Sequence, residues 1–170
     1  MQEKDDKIII WIVSSAISTL IFVDIWSISL KLIGTQIFYV WNFAADYIIQ
    51  GRRNIESFNG VIIGLIMDYL VGCTNGILIG LILEWRGTKY FWLKGIIVAL
   101  SNWVVLGVMT RVAPQLFTYP VTPLNFVTWF PAYCLFGALT AYLIVKLSQR
   151  RYLFISRYFR FFYYSGISYY

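Results

Sequence analysis

The chain has 170 residues, 59% of them hydrophobic, 19% aromatic and only 13% charged. A soluble domain carries about 25% charged and about 45–50% apolar residues, so a water-facing surface of this composition would be left with large apolar patches. The mean hydropathy of +0.69 agrees, and an ordinary soluble domain is excluded. A membrane helix needs about 20 apolar residues, so the length allows four or five spans. The net charge of +6 fits membrane topology better than nucleic acid, which is not expected as a partner. There is no histidine, which removes the commonest proton shuttle and metal ligand. Cys73 and Cys134 lie within apolar runs and read as small buried hydrophobes rather than as a disulfide or zinc pair. No metal and no cofactor is expected.

In chain order, the first apolar stretch covers 8–30. Its preceding segment, Glu3-Lys4-Asp5-Asp6-Lys7, is mixed in charge and no small-residue cleavage site follows, so a retained helix is predicted. Residues 37–49 come next and are too few to span. Ile37, Trp41, Ala44, Ala45 and Ile48 recur at helical spacing while Asn42, Asp46 and Gln50 share another face, which predicts a helix lying in the membrane interface. A re-entrant stretch or an extension packed on the bundle is the alternative. The second span covers 58–83, the third 93–112 and the fourth 123–147. Between the last two, Pro114 and Pro120 bias the loop to extended conformations, and Thr122-Pro123 reads as a cap followed by proline at the first helical position. None of the stretches alternates as a barrel strand does, and only helices and closed barrels satisfy their backbone in lipid. The fold class predicted is all-α: a polytopic membrane protein with a four-helix transmembrane domain over 1–147, an interfacial helix between spans one and two, and an amphipathic tail over 148–170.

The second span carries Gly60, Gly64, Gly72, Gly76 and Gly80, with Asp68 completing a four-residue repeat. A period of four overshoots 3.6 and drifts by about 40° per step, so the stripe winds round the helix and its two ends meet different neighbours. Stripes of this kind permit close small-xxx-small crossings, either within the chain or between two copies. The fourth span, where Gly137 and Ala141 repeat the spacing, is one candidate neighbour, and the first span offers Ser14 and Ser18. Asp68 itself is the most informative single position. Ten residues into the span, it lies about 15 Å from its start, and an ionisable group at such depth marks a functional site facing the bundle interior by default. The other reading is structural glue, with Asn102 in the third span as its natural partner. Asp24, Arg111, Asn125 and Thr128 gather towards the opposite end from the termini. Pro131 frees the carbonyl of Val127 beside them, so that either a small polar cavity or ordinary interfacial residues result, with Asp24 and Arg111 paired.

Phe43-Ala44-Ala45 ahead of Gly51-Arg52-Arg53, the glycine-rich second span, Thr88-Lys89-Tyr90-Phe91-Trp92-Leu93-Lys94-Gly95 and Thr122-Pro123-Leu124-Asn125 follow one another in an order that resembles a group of small four-span membrane proteins of Gram-positive bacteria, the YqhR-like proteins. The resemblance covers about residues 8–147. It implies a bacterial four-span protein and lends no activity. The group carries a histidine in the second span where this chain has Asp68, which puts a shared metal or proton-relay role in question.

The tail over 148–170 has the least ordinary composition. Arg150, Arg151, Arg157 and Arg160 are interleaved with ten aromatic residues, Tyr158 and Phe161 among them, and there is no acid. Arginines beside an anionic leaflet gain about 1 kcal/mol each, and aromatic rings suit the interfacial zone. A helix to about residue 164 is predicted, lying along the cytoplasmic surface or docked on a partner.

The sequence has no GxSxG, HExxH, phosphate loop or CxxC, and without histidine most acid–base designs are closed, so no enzyme is expected. Two function classes remain. The favoured one is a membrane-embedded structural or accessory subunit that binds lipids and another membrane protein or a second copy of itself. The alternative is a small transporter or channel-like oligomer that uses Asp68. Ten of the 14 Lys and Arg residues fall on the side of the two termini, which predicts both termini in the cytoplasm of a bacterial inner membrane by the positive-inside rule. In intact cells, on a background lacking Cys73 and Cys134, a cysteine at Ser57 is expected to react with an impermeant thiol reagent and one at Ser148 to be protected. The reverse pattern contradicts this orientation.

Overall fold

The computed structural model describes residues 2–32, 40–46, 48, 49, 51–112 and 123–165; within these, the side chains of 2–6, 31, 40, 110, 111, 123–125 and 150–165 are outside the description. Among the described residues every regular element is a helix. The first span is built from α1 (Gln2–Thr19), a π-helical turn (Leu20–Asp24) and α2 (Ile25–Leu32). Two short helices follow, α3 (Val40–Asp46) and α4 (Arg52–Ile55), and then three long ones, α5 (Phe58–Arg86), α6 (Phe91–Val112) and α7 (Pro123–Ser165). Four segments are long and apolar enough to cross a membrane: Lys7–Leu30, Phe58–Arg86, Phe91–Met109 and Phe126–Gln149. They fall within a few residues of the four stretches read from the sequence, and the chain is a multi-pass membrane protein.

The ends of α5 show why the chain turns where it does. Ser57 accepts a hydrogen bond from the Gly60 N–H at 3.2 Å, satisfying one of the first orphan donors. At the other end Gly87 takes φ +74° and ψ 175°, a conformation essentially restricted to glycine that turns the chain out of the helix. Lys94, one turn into α6, reaches back and donates to the carbonyls of Arg86 at 3.0 Å and Gly87 at 2.6 Å. These are carbonyls that α5 leaves without a helical partner. Lys7 closes the same end by pairing with Glu84 at 3.0 Å.

The four spanning segments pack in a ring, with the α5–α6 side the least extensive. The first span lies against both α5 and α7, and α6 rests mainly on α7. α6 and α7 meet where Gly95 and Gly137 face each other, each lacking the Cβ that would strike the other's carbonyl, with Ala99 and Ala141 alongside. Further along, Gly107 makes room for the Phe126 ring, which stacks on Trp103 at 3.8 Å between centroids. Gly137 and Ala141 are therefore turned to the third span and not to the glycines of the second. Two opposed glycines give the closest approach two helices can make, and α6 supplies the second one.

The glycines of α5 meet the chain's own elements one after another. A Cβ on Gly60 would strike the carbonyls of Asn54 and Ile55 in α4, and one on Gly64 the Trp41 carbonyl in α3. Gly72, Gly76 and Gly80 are covered by Thr19, Ser15 and Trp11 of α1. The change of neighbour along the stripe is what a four-residue period on a 3.6-residue helix produces.

α3 is packed on α5, and its polar residues are turned inwards: Asn42 and Asp46 are buried along with Ala44 and Ala45, while Ile48 just beyond is exposed. That arrangement corresponds to an extension packed on the bundle. The three small or short side chains Asn42, Ala44 and Ala45 leave room for the α3 backbone to approach Gly64. At the C-terminal end α7 continues without a break to Ser165. The expectations for Arg150, Arg151, Arg157, Arg160, Tyr158 and Phe161 concern side chains outside the described residues.

An ideal Cβ on Gly76 lies 2.5 Å from both the Ser15 Cβ and the Trp11 carbonyl oxygen. Gly76→Leu is therefore expected to destabilise the fold by ~1–3 kcal/mol or more, the usual range for overpacking. A thermal melt in detergent that does not move would contradict this packing.

Candidate functional site

The contact between the first span and α5 runs in antiparallel register. Thr19 stands over Gly72, Ser15 over Gly76 and Trp11 over Gly80, so each step of four along α5 is a step of four back along α1. Small hydroxyl side chains on one helix and bare backbone on the other bring the two axes close. The Ser15 hydroxyl donates to the Gly72 carbonyl across the gap. Ser18 and Thr19 turn back to their own helix, donating to the carbonyls of Ser14 at 2.9 Å and Ser15 at 3.0 Å. Such back-bonding satisfies a hydroxyl that has no water to turn to.

One turn further the register reaches Asp68, and the first span there changes its winding. The Ile25 N–H donates to the Leu20 carbonyl five residues back, the mark of a π turn that has taken in one extra residue. On an uninterrupted α-helix Ser27 would sit about 160° round from Trp11. The inserted residue sets the phase back by about 100°, so that Val23, Asp24 and Ser27 stay on the buried face that Trp11, Ser15 and Thr19 began. The turn itself packs on α7, and the buried Asp24 carboxyl reaches the Tyr69 hydroxyl of α5.

The two carboxyls form a pair within the membrane-spanning part of the bundle. Asp24 is 5% and Asp68 7% exposed, and the charge of Asp24 bears on Asp68. The Tyr69 hydroxyl lies beside the Asp24 carboxyl. Asp24 Oδ1 and Asp68 Oδ2 are buried and have no hydrogen-bond partner. Among the described residues no Lys or Arg is paired with either; the pairs Lys7–Glu84 and Arg52–Glu56 both lie near the ends of helices. An uncompensated charge in such a place carries a desolvation penalty of several kcal/mol.

Asn102, expected as the partner of Asp68, makes no hydrogen bond through its Nδ2, and Asp68 makes none through its Oδ2. Asn102 lines a groove of about 590 Å³ between α5 and α6, together with Thr74, Asn75, Ser101 and apolar side chains, and Asp68 is not among the lining residues. The Asn102 Nδ2 is buried there without an acceptor. Arg111 and Asn125 have side chains outside the described residues, and Thr128 is half-buried. The expected pairing of Asp24 with Arg111 thus falls outside what is described, and the Asp24 carboxyl is found beside the Tyr69 hydroxyl.

Ser15, Thr19 and Tyr69 were not singled out by the sequence, although each matters to the geometry. Ser15 and Thr19 are spaced by four on the face that carries Trp11, a signal readable beside Ser14 and Ser18. Tyr69 follows an acid and gave no signal. Comparison with protein families, with curated proteins and with solved structures finds no match.

Proposed function

We propose that the chain is a small transporter or channel-like membrane protein that moves a small cation by way of the Asp24–Asp68 pair. The observation that carries this reading is the pair itself: two acids from different spans, each with a buried oxygen lacking a partner. Intramembrane acids of this kind line ion and proton pathways by default, and a π turn beside one of them is a frequent companion of functional sites. A single buried acid would serve equally well as glue between helices. Two like-charged groups brought together do not hold a bundle unless something positive joins them. The orientation with both termini in the cytoplasm and the kinship with YqhR-like bacterial proteins belong to the same proposal.

A second reading is the accessory subunit that binds a membrane protein or lipid. The α5–α6 groove supports it, because that side of the bundle is left open and holds an amide without an acceptor. A stable membrane partner recovered in mild detergent, and cross-linked from a cysteine placed at Ser101, would favour this reading over transport.

The test of the first reading is flux through the full-length protein reconstituted in liposomes, driven by an imposed membrane potential and followed with pH- and cation-sensitive dyes. The wild-type chain is expected to conduct, Asp24→Asn and Asp68→Asn to fall to the protein-free background, and Glu84→Gln to behave as wild type. Flux that survives both aspartate substitutions, or no flux from a folded wild-type chain, overturns the proposal.

A further inference from the structure

We propose that the groove between α5 and α6 receives a second copy of this chain, the two copies related by a two-fold axis along the membrane normal and each seating its α6 in the groove of the other. The inference rests on the groove of the second reading above, to which it gives an occupant, and makes no use of Asp24 or Asp68.

The polar groups of the groove carry the argument. Thr74 Oγ1 donates to the Leu70 carbonyl at 2.9 Å, Asn75 Nδ2 to that of Val71 at 3.1 Å and Ser101 Oγ to that of Ile97 at 2.8 Å. Each of these side chains has given a hydrogen to its own helix and keeps an oxygen able to accept one. The Asn102 Nδ2 is the converse, a donor without an acceptor. Donor and acceptors line the same groove and do not meet within one copy.

These groups also share a depth. Asn75 stands 11 residues before the end of α5 at Arg86, and Asn102 stands 11 residues after the start of α6 at Phe91. At 1.5 Å per residue both lie about 16 Å from the turn between the helices, near the middle of a hydrocarbon core about 30 Å thick. An acyl chain offers no acceptor there, so a lipid in the groove leaves the amide unpaired. A second copy crosses in the same orientation and brings its own Thr74, Asn75 and Ser101 to the level of Asn102. Each copy then supplies what the other lacks, by the bonds that Asn, Ser and Thr make between membrane helices. The last torsion of an asparagine is broad, which lets Nδ2 swing towards an incoming oxygen.

The shape of this face is self-complementary as well. α6 is the least covered span, with 11% of its apolar stretch buried against 33–39% in the other three. Ile97, Ser101, Val104 and Val108 are exposed along it at spacings of four, three and four, the seam of a left-handed helix pair. Ile97 and Ser101 also line the groove, so the ridge stands directly beside it. A two-fold rotation therefore sets each ridge in the opposite groove and makes the same contacts twice. None of the lining residues is ionisable, so the two grooves meet without like charges.

The test uses the full-length chain on a background lacking Cys73 and Cys134. In membranes of expressing cells, Ser101→Cys is expected to join two copies under mild oxidation, giving a band of twice the mass. Ile17→Cys, exposed on the first span, is expected to stay single. In liposomes, energy transfer between copies labelled at their N-termini is followed as the lipid is diluted. Asn102→Leu is expected to weaken association by about tenfold, and Asn102→Gln, which keeps the amide, by much less. A folded chain that stays monomeric, or equal association of wild type and Asn102→Leu, overturns the inference. A Ser101 cross-link to a different protein in place of a second copy overturns it and leaves the second reading standing. No cross-link to either contradicts both.

Discussion

The close approach of the first span to the bare backbone of α5 is the contact from which the rest of the bundle follows. Lipid tails are as apolar as leucine, so membrane helices gain little by burying oily surface against each other and associate by packing and hydrogen bonding. Here that packing needs glycine on one side and serine or threonine on the other. Thr19, Ser15 and Trp11 stand over Gly72, Gly76 and Gly80, and the Ser15 hydroxyl bonds directly to the α5 backbone. The register fixed by these contacts is also what brings Asp24 to the level of Asp68. An acid pair at this depth would open the interface if the helices were free to slide. Three glycine contacts on one side and the α3 contact at Gly64 on the other leave it held from both directions.

The same device is used a second time between α6 and α7, where Gly95 meets Gly137. The bundle is thus two glycine-bonded pairs, α1 with α5 and α6 with α7, joined by the first span lying on α7. Trp11, Ile79, Leu83, Val98, Ala141 and Ile144 form the apolar cluster at that junction. Joining pairs in this way makes the α5–α6 contact the least extensive side of the ring although a turn at Gly87 connects the two helices, and a groove lies between them. Close packing and an open side are two consequences of one placement of glycines.

Much of this was legible in the sequence. The spans are given by hydropathy because a helix in lipid must be apolar over its whole length, and the ends at Ser57 and Gly87 carry ordinary helix signals. The winding of the α5 stripe and its change of neighbours follow from a period of four. The depth of Asp68 marked it as a site. The winding of the first span around Asp24 could not be read, for a physical reason: the inserted residue of the π turn shifts the phase of everything beyond it. A π turn has no composition of its own. The inward turn of Asn42 and Asp46 escaped for a related reason, since a polar face predicts headgroups until a glycine such as Gly64 offers it a place in the interior.

The register between the first span and α5 is tested most directly by a cysteine pair. A Cβ on Gly72 lies 3.5 Å from the Thr19 Cβ, within the range of about 3.5–4.5 Å that a disulfide requires. On a background lacking Cys73 and Cys134, and with a protease site placed in the connection between the two helices, Thr19→Cys with Gly72→Cys is expected to leave the cleaved halves joined under oxidising conditions. Thr19→Cys with Leu70→Cys, whose side chain is exposed on the outer face of α5, is expected to let them separate. Joining through Leu70 and separation through Gly72 would contradict the account.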